Sequence, residues 1–141
     1  MSQELQKIQE FIQEHHVLSL ATSVEDELSV CSLFYLYDAK SNSFVVASSE
    51  ETTHIKHIKK NPKVAANILL ETKKVGEIKG LQIRGDFQRL KNSRLQANYF
   101  KKFPYALAMM PKLWSLEVEC FKLTDNALGF GKKIIWQRAS L

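Results

Sequence analysis

The chain is poor in cysteine: Cys31 and Cys120 are the only two in 141 residues. Each lies inside an apolar, strand-like run without a close ligand partner. That argues against a metal site and predicts two small buried thiols of a reducing compartment; sequence alone leaves a disulfide between them open. No apolar run approaches the roughly 20 residues of a membrane-spanning helix. The first stretch, MSQELQKIQEFIQEHH, is polar and acidic-rich, unlike a signal peptide, so a cytoplasmic protein is expected. Repeats, low-complexity tracts and linkers are absent. So are the Walker spacing G-x-x-x-x-G-K-[ST] and the nucleophile elbow G-x-S-x-G. Carboxylates are scattered, and no nucleophile and base stand out. Such residues offer no acid–base machinery of their own, a need that a cofactor carrying its own chemistry would remove.

What is present is 45% apolar and 25% charged residues, the balance of a soluble globular protein. The length suits a single domain, residues 1–141, with a sizeable core. The net charge is +5. Its basic residues are spread out apart from KHIKK and GKK, and no zinc finger, basic helix or RNA-binding aromatic motif accompanies them. A phosphorylated small molecule suits that charge as well as nucleic acid does, and no nucleic-acid partner is expected.

Periodicity supplies the elements. Leu5, Ile8 and Ile12 recur at helical spacing over residues 3–14, with Ser2 as cap. VLSLATS is a strand and VEDE breaks it. LSVCSLFYLYD follows as one strand, with Leu28, Val30, Ser32, Phe34 and Leu36 on one face and Cys31, Leu33, Tyr35 and Tyr37 on the other. So little polar surface predicts cover on both faces, from a barrel interior and a helix or from a partner subunit. FVVAS, VAANILL, LQIRGDFQRL, WSLEVECFKLT and KKIIWQR read as further strands. A short helix ends at Asn61-Pro62, another starts at Ser93, and YALAMM makes a helical turn or two between Pro104 and Pro111. The sum is an α+β fold: a Greek-key-like barrel of about six strands, an N-terminal helix and short crossover helices.

The stretch SSEETTHIKHIKKNPKV, residues 48–64, invites two readings. A helix N-terminus presents free N–H groups and a positive dipole end to an anion. Ser48, Ser49, Thr52, Thr53, His54 and Lys56 can add donors or charge. The same residues also make an ordinary capped amphipathic helix with a solvated basic face, and Glu50 and Glu51 count against an anion. His54 and His57 stand at i, i+3, but no third metal ligand is evident. Further on, Gly129 and Gly131 in TDNALGFGKKIIWQR form either a tight turn or a ligand-contacting loop, with Lys132 beside it. Trp136 there can stack on a flat ring or simply pack.

The order of these segments resembles the pyridoxamine-phosphate-oxidase-like family of flavin-binding split β-barrels. VLSLATS, SLFYLYD, FVVASSEETTHIKHIKKNPKVA and LQIRGDF carry the likeness over essentially the whole chain. TDNALGFGKKIIW is similar to the C-terminal signature of one bacterial branch. The resemblance implies a homodimer with FMN sites at the subunit interface. In typical members a Ser/Thr-Arg-Lys triplet before N-P-x-V holds the phosphate. Counted back from Pro62, that triplet falls on Thr52, Thr53 and His54, so the hydroxyl is kept and both cations are lost. Lys56, or Lys132 of the partner subunit, is the candidate substitute. Ring contacts are implied at Ser32, Leu33, Phe34, Ala47, Ser48 and Gln82, with Phe34, Tyr35 and Tyr105 as candidate walls of a substrate pocket. The C-terminal arginine and histidine pattern of true pyridoxamine phosphate oxidases is not found, so vitamin B6 oxidation is not expected. The implied function is an FMN-dependent oxidoreductase of unassigned substrate and electron donor. The alternative is a non-catalytic flavin- or haem-binding module, with His54 as the residue that draws attention to haem.

Overall fold

The alternation that defines the strands also closes the sheet. A computed structural model describes residues 2–139. The order is α1 (Gln3–Gln13), β1 (Val17–Val24), β2 (Glu27–Phe34), β3 (Leu36–Asp38), β4 (Ser43–Ala47), α2 (Thr53–Lys60), β5 (Lys63–Leu70), β6 (Lys79–Arg89), α3 (Ser93–Lys102), α4 (Pro104–Met109), β7 (Leu113–Asp125) and β8 (Lys133–Gln137). The strands join in one antiparallel sheet of order β2-β1-β5-β6-β7-β4-β3, and β8 pairs with the far end of β7. The two ends of that path, β2 and β3, are separated in the chain by Tyr35 alone. A sheet whose edges are tied through one residue has to curl, and the result is the α+β split barrel expected.

Eight strands rather than about six arise among the described residues, partly because the apolar run at 28–38 breaks at Tyr35. Its N–H donates to the His16 carbonyl at 3.1 Å, and its hydroxyl donates to the Ile12 carbonyl at 2.7 Å. The first prolongs the β1–β2 ladder by one residue and the second pins the ring to α1, and from Leu36 the chain pairs with β4 instead. Tyr35 is therefore buried beneath α1, 1% exposed, where it was expected to wall a substrate pocket.

One face of the curled sheet holds the core. The row Cys31, Leu20, Ala66, Ile83, Phe121, Trp136 runs across six strands. Leu5, Ile8, Phe11 and Ile12 of α1 and Ile55 and Ile58 of α2 pack into the same cluster. Burying side chains of this size contributes about 2 kcal/mol each. A smaller cluster forms where α3 sets Leu95 and Tyr99 against Val45 and Leu113, and Leu36 packs there. Both cysteines are half-buried free thiols.

The adjacent row Ser32, Ser19, Asn67, Gln82, Lys122, Ile135 faces outward. No described element covers the outward face of β2: Leu28 is 80% exposed, Val30 72% and Phe34 57%. The cover expected on both faces of this strand is thus supplied on one face only within a single chain.

Gly85 of the Q-x-R-G segment has a clear steric reason. A register shift falls between Arg84 and Gly85, and a Cβ at Gly85 would lie 2.1 Å from the Glu117 carbonyl oxygen. Only glycine lets β6 and β7 approach so closely there.

Candidate anion-binding site at the start of the second helix

The turn between β4 and α2 is held from three sides. Ser48 donates its N–H to the Lys112 carbonyl at 3.1 Å, and its own carbonyl accepts from Trp114 Nε1 at 2.9 Å. Trp114, in turn, stacks on Phe87 with centroids 6.2 Å apart. The beginning of β7 therefore fixes the end of β4. On the opposite side, His57 anchors α2 to the β1–β2 hairpin: Nδ1 lies 2.8 Å from Thr22 Oγ1 and Nε2 2.7 Å from Glu27 Oε1. A carboxylate only accepts, so Nε2 carries the proton.

Within this frame the helix start is uncapped. Thr52 stands at the N-cap position with extended backbone, yet makes no side-chain cap bond. Its hydroxyl donates instead to the Ser49 carbonyl at 2.8 Å. The first-turn N–H groups keep their donor capacity, at the positive end of the helix dipole. Thr53 is exposed beside them and Ser49 lies on the same turn, also exposed.

His54 is turned inward, 7% exposed, with Nε2 at 2.7 Å from Ser48 Oγ and 3.3 Å from Thr52 Oγ1. Burial pushes its pKa below the ordinary histidine value, and the neighbouring His57 adds to that. The ring is a neutral internal brace for the turn, whereas a ring free to donate to a ligand was expected. Lys56 points elsewhere as well: it lines a cleft of about 410 Å³ with Glu25, Asp26, Glu27 and Lys60. Two cations reach Glu50 of the turn: Lys112, whose Nζ lies 2.6 Å from Oε2, and Lys59 of the last helical turn, 3.4 Å from Oε1. Sequence reading missed Lys112 because it is 62 residues from Glu50, in a Pro-Lys step that carries no motif.

The structure brings Ala47, Ser48, Thr52, Thr53 and His54 together at this turn. Ser32 and Gln82 share the outward row three strand spacings apart, about 14 Å. Gln82 lines a cavity of about 540 Å³ there with Ala65, Arg84, Lys122 and Ile135. Leu33 packs into the core, while Phe34 stays outside, its ring stacked on His16 at 5.7 Å. Lys132 and Trp136 lie at the other end of β7. Trp136 pairs with Phe121, seven residues or roughly 23 Å along the strand from Trp114. Its ring packs on Phe121 at 5.5 Å, under the Arg138 guanidinium. Within one chain these two residues do not join the turn. Tyr105 of α4 is 91% exposed.

The donors available at the turn are those of an anion site: first-turn backbone N–H groups, the exposed Ser49 and Thr53 hydroxyls and Lys112, set against the carboxylates of Glu50 and Glu51. Residues 5–119 match the family described as pyridoxamine 5'-phosphate oxidase. The chain belongs to that family. A UPF0306 protein of Photorhabdus laumondii is 34% identical over 140 residues, covering 97% of this chain and 98% of the relative. The fold is shared more widely than the sequence. A haem-binding protein from Mycobacterium smegmatis superposes with a TM-score of 0.79 at 14% identity, over 97% of this chain and 59% of that one. A FAD-binding protein from Mesorhizobium loti gives 0.70 at 14% identity, over 84% and 90%. Members and neighbours of this pyridoxamine 5'-phosphate oxidase fold thus include proteins described as binding flavin and others described as binding haem.

Proposed function

We propose that two copies of this chain hold FMN, its phosphate on the uncapped start of α2, and act as a flavin-dependent oxidoreductase on a small molecule. The observation that carries the reading is Thr52, which spends its hydroxyl on Ser49 and leaves the first-turn N–H groups free. A phosphate monoester matches those donors in charge and in hydrogen-bonding capacity. Bound FMN would supply hydride acceptance and release. The chain's own part is to bind and orient it: the Ser49 and Thr53 hydroxyls and the first-turn N–H groups of α2 take the phosphate, and the outward face of β2 takes the partner subunit. Ser32 and Phe34 lie on that face and Gln82 on the same side of the sheet at β6, so a second copy reaching across all three would enclose them and exclude water. Lys132 and Trp136, remote from the turn in one chain, would have to contribute from the partner subunit. The test is the absorbance spectrum of the purified protein, before and after incubation with excess FMN, followed by NAD(P)H turnover. Flavin bands that persist through desalting are expected; colourless protein after incubation ends the proposal.

The second reading, a non-catalytic haem-binding module, draws on the likeness to the Mycobacterium smegmatis protein. His54 does not favour it, because its Nε2 is buried against Ser48 and Thr52. A Soret band on haem titration, without NAD(P)H turnover by the flavin-loaded protein, would select this reading over the first.

A further inference from the structure

The family triplet places two cations beside the phosphate, and neither Thr53 nor His54 can serve. Lys112 reaches the same turn from the start of the neighbouring strand β7. Its carbonyl accepts the Ser48 N–H, so its backbone is fixed against the turn, and its Nζ contacts Glu50 two residues before the N-cap. Glu50 also lies 3.4 Å from Lys59 Nζ. One carboxylate thus holds Lys112 beside the turn and Lys59 of the last turn of α2. We infer that Lys112 is the cation of the phosphate site, and that Glu50 is an internal anion which the ligand's phosphate displaces from it.

The inference rests on the FMN reading above and concerns how that site is charged. The exchange is favourable on simple grounds. The Glu50 and Lys112 side chains are 38% and 46% exposed, and such a pair shifts an equilibrium by about fivefold at most. A phosphate carries more charge than a carboxylate and also meets the helix N–H groups, which Glu50 does not cap. Lys112 follows Pro111, which ends the connection from α4, and leads into β7. Its main chain needs no rearrangement for the side chain to change partners.

The experiment measures the dissociation constants of FMN and riboflavin by quenching of flavin fluorescence, for the intact chain and for Glu50→Gln, Lys112→Met and Lys112→Arg. Riboflavin has the ring without the phosphate. Glu50→Gln should bind FMN about threefold to fivefold more tightly, Lys112→Met about tenfold more weakly, and Lys112→Arg near the parent. Riboflavin affinity should not move in any variant. Parent protein that binds FMN well while Glu50→Gln and Lys112→Met leave the FMN-to-riboflavin ratio unchanged overturns the Lys112 assignment and leaves the flavin reading standing. Parent protein that binds neither flavin overturns both.

Discussion

Ser48 Oγ and His54 Nε2 lie 2.7 Å apart in the interior of the β4–α2 turn. The contact ties the residue after β4 to the first turn of a helix, and the burial of the ring there disfavours its charged form. Burial, then His57, lowers the His54 pKa in the folded chain; in the unfolded chain it returns to about 6.5. Unfolded protein therefore binds more protons just below that value, and stability falls as pH drops through it. His15 is lowered too, chiefly by burial, and acts in the same direction. Stability should be full above about pH 6.5 and should decline toward pH 5. Thermal melts across that window check this, and His54→Gln should flatten part of the slope. An unchanged slope in the variant would show that the brace is not titrating.

At the alkaline end the burden falls on tyrosine. Burial pushes Tyr35 upward, and it raises Tyr37 to about 12, partly offset by a hydrogen bond from Gln9. Tyr99 is also raised by burial, against a backbone hydrogen bond from Ala47. Unfolded tyrosine ionises near pH 10, so the folded state keeps protons that the unfolded state loses, and stability falls as pH rises above about 10. Ultraviolet titration at about 295 nm should show these phenols ionising late and together with unfolding. Smooth, reversible ionisation near pH 10 without loss of structure would contradict their burial.

Gly85→Ala tests the closeness of β6 to β7. The added methyl meets a backbone carbonyl, which cannot move aside as a flexible side chain would. Overpacking of this kind costs about 3 kcal/mol, or a fall of roughly 10 °C in Tm for a domain of this size. Denaturant and thermal unfolding measure it directly. A change of less than about 0.5 kcal/mol would mean that the two strands part easily at the bulge.

How much of this was legible beforehand differs from element to element. α2 ends at Lys60 before Asn61-Pro62, as proline geometry requires, and β6 alternates Leu81, Ile83 and Gly85 inward. Local patterns of period 3.6 and 2 carry that information. The split at Tyr35 was hidden, because both halves of 28–38 alternate in phase and only the pairing with β4 from Leu36 onward marks the break. At the candidate site the hydroxyls were plain, since they are contiguous. The inward turn of His54 depends on the depth of the β4 end, and Lys112 arrives across a sheet pairing between β4 and β7. A linear reading sees neither.

Val30→Glu addresses the partner subunit. Val30 is 72% exposed on the outward face of β2, beside Leu28 and Phe34 and across from Ala21 of β1. In an isolated chain such a surface exchange changes stability by about 0.5 kcal/mol or less. In a pair of chains joined through this face it would bury a carboxylate among apolar groups, at a cost of several kcal/mol. Sedimentation should therefore find the parent as a dimer and the variant as a monomer with nearly unchanged far-ultraviolet dichroism. FMN binding should weaken with it, because Ser32, Phe34 and Gln82 would lose their cover. A parent that sediments as a monomer, or a variant that stays dimeric, would place the interface elsewhere and leave the exposed residues of β2 without a role in the site.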